Sequence, residues 1–353
     1  MLFDTIKNFF NNDIGIDLGT MNTLIYVKNK GIVLDEPSVV AINADRDKVR
    51  AVGSQAKAMM EITPENIRVV RPMRDGVIAD AEVTDEMLRI FIRKATGKMK
   101  VMRPRVLVAV PSGITEVGLR AVRESALSAG ARKVQLVQEP FAAAIGSGLP
   151  VNDPDGNMII DIGGGTTEVA LICLGSIVVC SSVQCAGDAM DAAIVSHLQN
   201  VHHLLIGDPT AERIKIAIGS AYPLDEPMTM EVKGLDMAQH GNRLPRAVII
   251  NSEEIRQALE RPISQIIQTV RHTIDASPPE LSARLIDNGI TLAGGGSQLR
   301  GLDKLISEET GLAVRLGKDP LQAVVNGTGL MLEHANQLFS QPTNSLIGKG
   351  RRV

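Results

Sequence analysis

The sequence predicts an α/β protein made of two similar halves, each carrying an insertion, and three observations point to it. Apolar strand patterns alternate with helical patterns along most of the chain, the signature of a largely parallel, doubly wound sheet. An apolar strand that ends in aspartate and runs into a glycine turn occurs twice, at Asp17 and at Asp161. A third glycine run, Gly294-Gly295-Gly296, joins a strand to a helix.

Composition narrows the class. A chain of 353 residues can bury the cores of two domains. At 44% apolar residues it is not a disordered protein. A net charge of -3 argues against a sequence-wide basic surface, so nucleic acid is not an expected partner. Cys173, Cys180 and Cys185 form no CxxC pair and have no histidine at metal-ligand spacing nearby. They read as small, reduced, largely buried side chains. There is no apolar run of about 18 residues to span a membrane. The first ten residues lack the apolar core and cleavage site of a secretory signal. A cytosolic location is expected.

Each element follows from local pattern. Residues 13–27 read as strand, Gly-Thr turn, strand, and residues 158–172 repeat that punctuation. Aligning Asp17 with Asp161 also aligns Ile16 with Ile160, Gly19 with Gly163, and Thr23 with Thr167, a weak internal repeat. Residues 34–74 look polar and irregular. A helix is expected over 84–95, a strand over 105–110 and a helix over 116–129. A strand over 133–137 then meets Glu139-Pro140, which opens a helix to about 145, with proline suited to a helix start. The second half carries an insertion at 189–247 with a helical segment near 210–218. Strand 290–292 leads through the glycine run to a helix over 299–309, and 321–334 reads as a last helix.

The glycine turns carry the chemistry. Consecutive backbone N–H groups in a turn without side chains can close on an anion. Gly19, Thr20, Met21 and Asn22 form one such turn; Gly163, Gly164, Gly165 and Thr166 form the other. Two carboxylates brought together at their bases, Asp17 and Asp161, suit a hydrated magnesium ion. Neither turn is a Walker A loop, and neither fits the dinucleotide fingerprint. Alone, Asp17 with its glycine is compatible with an ordinary β-turn. Three successive glycines after Asp161 weaken a strand unless something must approach closely. At Gly294–Gly296, helix-terminus amides could face a nucleotide.

This order of elements resembles the superfamily of actins, sugar kinases and large heat-shock chaperone ATPases. Nearly the whole chain resembles its MreB family of bacterial actins. The matching stretches are residues 16–20 with Asn22-Thr23, Asp35-Glu36-Pro37-Ser38, Arg71-Pro72-Met73, 75–80 and Glu139-Pro140. They continue through 161–169, 211–215, Pro278-Pro279-Glu280-Leu281 and 294–296.

The resemblance implies an actin-like fold, two similar α/β domains with inserted subdomains around a central nucleotide cleft. Subdomain IA would comprise 13–33 and 75–145 with 319–340, and IB would be 34–74. Subdomain IIA would comprise 146–188 and 248–318, and IIB would be 189–247. Residues 1–12 would form an amphipathic membrane-binding helix and 341–353 a flexible tail. It also implies ATP and magnesium as ligands, with Asp17 and Asp161 holding the metal through water. Thr20, Met21, Asn22 and Gly163 to Thr166 would cradle the phosphates.

Glu139, which by residue type alone reads as a surface or cap residue, would orient or deprotonate the attacking water with help from Thr166. Asp161 completes the catalytic set. Glu212, Arg213 and Lys215 would line ribose and adenine, although by pattern they form a charged, solvated face. Gly294, Gly295, Gly296 and Ser297 would close the opposite side.

Half of the six phenylalanines, Phe3, Phe9 and Phe10, lie in the first ten residues. With Leu2 and Ile6 they fall on one helical face, opposite Asp4, Thr5, Lys7 and Asn8. Packing of this helix on the domain is the alternative to membrane contact. Full burial of the five apolar side chains would contribute roughly 8–15 kcal/mol, at about 1.5–3 each. Partial insertion and helix ordering reduce that severely, so one subunit binds marginally and a filament binds by avidity. Met99, Val101 and Met102, interleaved with Lys98, Lys100 and Arg103, are a second candidate membrane contact or an edge strand.

The implied function is ATP-dependent filament formation, with weak ATPase turnover, on the inner face of the cytoplasmic membrane. There the filaments would organise cell-wall synthesis and maintain cell shape. Implied partners are further copies of the chain, in paired antiparallel strands, and transmembrane cell-wall elongation proteins. A small-molecule kinase would need an acceptor pocket with its own base, and a chaperone would append a long substrate domain; the sequence shows neither motif.

Overall fold

The computed structural model describes residues 13–43, 48–60, 66–74, 76–97, 103–237, 244–340 and 351–352. Two sheets of one plan dominate it. The first has the order Lys133–Gln138, Arg105–Val110, Ile14–Leu18, Asn22–Val27, Gly31–Pro37. The second has the order Val314–Leu316, Ile290–Ala293, Asn157–Ile162, Thr167–Cys173, Ser176–Val183, with Arg351–Arg352 at its edge.

In each sheet the aspartate-bearing strand is central. Parallel neighbours lie on one side of it and antiparallel neighbours on the other. The hairpins close at equivalent pairs, Leu18 opposite Thr23 and Ile162 opposite Thr167. The weak internal repeat in the sequence is therefore a duplicated sheet, with Asp17 and Asp161 at the same position in each copy.

Helices cover the sheets by burying one stripe each. Ala81–Thr96 and Glu116–Ser128 pack Met87, Leu88, Phe91, Leu119 and Val122 against the first sheet. Each begins at a side-chain cap: Asp80 accepts from Val83 N at 3.1 Å, and Thr115 accepts from Gly118 N at 3.1 Å. Gly187–His202, Asp208–Ile218 and Ser252–Asp275 bury Ile194, Leu198, Ile214, Leu259 and Ile266 on the second.

Between the sheets, helix Glu139–Gly146 crosses helix Ala323–Met331 at glycines. A Cβ on Gly327 would lie 1.8 Å from the carbonyl oxygen of Ala142, and one on Gly146 would lie 1.8 Å from that of Ala323. Only glycine permits this crossing, which fixes where the helix headed by Glu139 begins.

The structure departs from the sequence pattern in three places. Within 34–74, strands Val40–Asn43, Lys48–Val52 and Ile67–Val70 form a small sheet, with a one-turn helix at Ser54–Lys57. Its core is slight (Val39, Ala41, Ala51, Ala56 and Ile67), and strands this short show no sustained period. The 24-residue helix Ser252–Asp275 runs straight through Pro262, a residue that ordinarily marks a break. In the insertion, strands Thr229–Asp236 and Pro245–Asn251 pair antiparallel beside the expected helix.

Candidate functional site

The two hairpin turns face each other. A Cβ on Gly164 would meet the Met21 side chain at 2.2 Å, so the second turn abuts the first with no space for a side chain. Each turn is braced from outside by the residue pattern around it. In the first, Ser38 Oγ donates to the Gly19 carbonyl at 2.7 Å and lies 2.9 Å from Thr23 Oγ1, while Gly76 N–H donates to Thr20 Oγ1 at 3.3 Å. In the second, Gly163 N–H donates to the Thr166 carbonyl at 3.0 Å, and Thr167 Oγ1 donates to the Cys185 carbonyl at 2.7 Å. The aligned threonines 23 and 167 thus do the same work in the two halves.

Between the turns lies a cavity of about 610 Å³, within the size range of small-ligand sites. It is lined by Asp17, Gly19, Thr20, Met21, Asn22, Glu139, Asp161, Gly163, Gly164, Gly165, Thr166, Glu212, Lys215, Gly294, Gly295 and Gly296. Two residues expected here are elsewhere. Arg213 is exposed and reaches back to Thr210 Oγ1 at 3.3 Å, because it lies on the outer face of the helix whose inner face carries Glu212 and Lys215. Ser297 is buried and its hydroxyl donates to the Gly294 carbonyl at 2.6 Å, so it shapes the glycine turn. Gly294 has φ +80°, and a Cβ there would come within 2.5 Å of Asp161 Oδ1. That residue must be glycine to sit over the carboxylate. Leu2, Phe3, Ile6, Phe9 and Phe10, and Met99, Val101 and Met102, lie outside the described residues.

Carboxylates crowd the floor. Burial, the Asp161 charge and the Asp35 charge raise Asp17 to about 7. Burial raises Asp161 to about 6. Glu139 is held well above the usual carboxylate range by burial and by Glu168, Asp17 and Asp161. Among the described residues, the main influences on these groups are burial and other carboxylates. The lining cations are committed elsewhere. Lys215 Nζ lies 2.9 Å from Asp191 Oδ1 and donates to the Gly187 carbonyl at 2.9 Å, and Arg300 donates to the carbonyls of Ile216 and Gly219.

Sequence reasoning missed two parts of the site. Glu168 sits directly across the hairpin from Asp161 and reaches into the other half, accepting from Ser112 N–H at 2.7 Å. Burial raises it to about 8, although the Ser112 hydrogen bond acts in the opposite direction. A lone acid in the apolar run 167–172 was its signal. Gly187 and Asp188 open helix Gly187–His202, and their N–H groups donate to the carbonyls of Gly163 and Gly164 at 3.2 and 2.8 Å. At the cavity mouth, ion pairs join Lys57 to Glu212 at 3.5 Å and Arg71 to Asp188 at 3.6 Å.

The raised carboxylates fix a pH dependence. Unfolded, they titrate near pH 4. Folded, Asp17, Asp161 and Glu168 hold protons to about pH 6–8, so the native state binds more protons across that window and stability falls as pH rises. In EDTA, melting temperature should drop between about pH 4 and pH 8, and Asp161→Asn should flatten the slope and melt higher than the parent at pH 8. A parent melting temperature that rises over this range would contradict the crowding.

Comparison with known proteins places this architecture. Residues 11–340 match the family model described as MreB/Mbl protein. The chain is 51% identical over 345 residues to the cell shape-determining protein MreB of Escherichia coli, covering 95% of this chain and 98% of that one. It is 45% identical over 329 residues to the cell shape-determining protein Mbl of Bacillus subtilis, covering 93% and 98%. Among solved structures, MreB5 of Spiroplasma citri bound to ADP superposes with a TM-score of 0.88 at 37% identity, covering 94% of this chain and 99% of that one. A MamK double helical filament, at 22% identity and TM-score 0.77, shares the fold. The duplicated sheets are those of an actin-like protein, and the chain belongs to the MreB/Mbl family.

Proposed function

We propose that this chain binds ATP with magnesium between its two hairpin turns, hydrolyses it slowly, and assembles into filaments that determine cell shape. The carrying observation is the set of buried, mutually repelling carboxylates at the base of two glycine turns that face one cavity, whose lining cations among the described residues are engaged elsewhere. That donor set fits a hydrated magnesium ion, held by Asp17 and Asp161 through water. The family resemblance supports the nucleotide, as do the MreB5 structures solved with ADP and with AMPPNP.

The residues divide the work. Amides of Thr20, Met21, Asn22 and residues 164–166 hold the phosphates, while the Gly163 amide closes the second turn on the Thr166 carbonyl; Gly294, Gly295 and Gly296 form the opposite wall. Glu212 and Lys215 lie on the wall assigned to ribose and adenine. Magnesium, held by Asp17 and Asp161 through water, would offset phosphate charge, and its own charge would favour the ionised form of the carboxylates around it. Glu139, then ionised, orients an attacking water and takes its proton, with the Thr166 hydroxyl beside it. Helix Glu139–Gly146, locked by its glycine crossing, keeps that carboxylate from drifting.

Among the described residues no helix is long and apolar enough to cross a membrane. We assign the chain to the cytoplasm, held peripherally on the inner face of the cell membrane. The apolar face of residues 1–12 would mediate attachment, with Met99, Val101 and Met102 as a second contact. In this reading paired antiparallel strands present many such helices at once, and transmembrane cell-wall elongation proteins meet the filament there.

Glu139→Ala should retain ATP binding and slow phosphate release by about 10²–10⁴-fold, the usual contribution of a positioned base; unchanged phosphate release would remove Glu139 from the role. Phe9→Glu combined with Phe10→Glu should leave ATP-dependent sedimentation intact and abolish flotation with anionic vesicles. Flotation of the double variant would rule out the amphipathic helix.

A further inference from the structure

Away from the cleft, His197, His202 and Glu254 converge on one point. His202 Nε2 lies 2.6 Å from Glu254 Oε2, and His197 Nε2 lies 3.6 Å from the same oxygen. The ligand atoms of all three lie within 4.8 Å of one another. The imidazoles come from helix Gly187–His202 and the carboxylate from the first turn of helix Ser252–Asp275.

The carboxylate is aimed before any ligand arrives. Glu254 Oε1 accepts from Asn251 N–H at 2.7 Å while Asn251 Oδ1 accepts from Glu254 N–H at 3.0 Å, a reciprocal capping box that leaves Oε2 to face the histidines. A cap alone would explain Glu254 with one partner. It does not explain His197, whose buried Nε2 finds only that same oxygen. One carboxylate oxygen receives His202 at hydrogen-bond distance and His197 only at 3.6 Å, long for a hydrogen bond.

From this we infer a transition-metal site formed by His197, His202 and Glu254, taking zinc or a similar divalent ion. Two imidazoles and a carboxylate select zinc-like metals over magnesium, which prefers oxygen donors. Donors about 2.0–2.2 Å from a tetrahedral zinc sit roughly 3.3–3.6 Å apart. The His197 contact already has that spacing, and the His202 contact needs a sub-ångström opening. The side chains are 16%, 23% and 17% exposed in the order His197, His202, Glu254, which leaves an open fourth position for water. The backbone supports it too, since Arg246, paired with Asp236, donates to the His202 carbonyl at the end of the helix. A bound ion would tie that end to the start of the 24-residue helix, while the opposite end of helix Gly187–His202 bonds the second hairpin turn.

The test titrates cobalt(II) into the full-length, EDTA-treated chain at pH 7.5. One equivalent should produce a visible d–d absorption band that one equivalent of zinc removes. His197→Gln with His202→Gln should weaken binding by at least about 10–100-fold, the effect seen even for groups that only support a ligand. His203→Gln, on an exposed neighbouring histidine, should change nothing. Retained ATP binding would show that the double variant is folded; should it be lost, Glu254→Gln replaces it, with the same weakening expected. Absence of the band in the parent, or its survival in the folded variant with metal held by thiols or the N-terminus, overturns the assignment.

Discussion

Everything in this structure turns on buried carboxylates held together, with burial and one another as the main influences on them among the described residues. Asp17 and Asp161 end the central strands of two sheets, Glu168 stands across the hairpin from Asp161, and Glu139 heads the helix between them. Each is pushed toward its protonated form by burial, and Asp17, Glu139 and Glu168 also by their acidic neighbours. Such an arrangement costs stability at neutral pH, and folding tolerates it only because two large apolar cores lie beneath. In the proposed function, a cation delivered with an anionic ligand would offset that cost.

The rest of the fold serves to keep the arrangement from relaxing. Duplication puts equivalent carboxylates on equivalent strands, and glycines at 146 and 327 let the intervening helices touch through their backbones. Glu168 links the halves on the floor of the cleft by accepting from Ser112. The mouth is held differently. Lys57–Glu212 and Arg71–Asp188 are partly exposed ion pairs, of a kind worth about 0–1 kcal/mol each. The cleft is thus joined by a buried hydrogen bond at its base and by weak, partly exposed ion pairs at its mouth.

Much of this was legible in the sequence because backbone chemistry demanded particular residues. Gly164 against Met21 and Gly294 against Asp161 leave no room for a side chain, so the turns announced themselves. The weak repeat that aligns Asp17 with Asp161 and Thr23 with Thr167 corresponds to the duplicated sheets. What stayed hidden depended on long-range contacts. Glu168 looks like one acid in an apolar strand until Ser112 is brought beside it. Arg213 and Lys215 are two residues apart, yet the helix turns one outward and the other into the cavity. The helix through Pro262 and the short strands of 40–70 form because tertiary packing overrides local signals.

The most direct measurement is the proton count on ligand binding, from calorimetry of magnesium-ATP binding at pH 6.5 in buffers of different ionisation enthalpy. Carboxylates raised to about 6 and 7 are partly protonated at that pH and must ionise to receive a cation. Crowding therefore predicts net proton release from the carboxylates, smaller in Asp161→Asn. Tight binding with no proton release, the same in parent and variant, would contradict it.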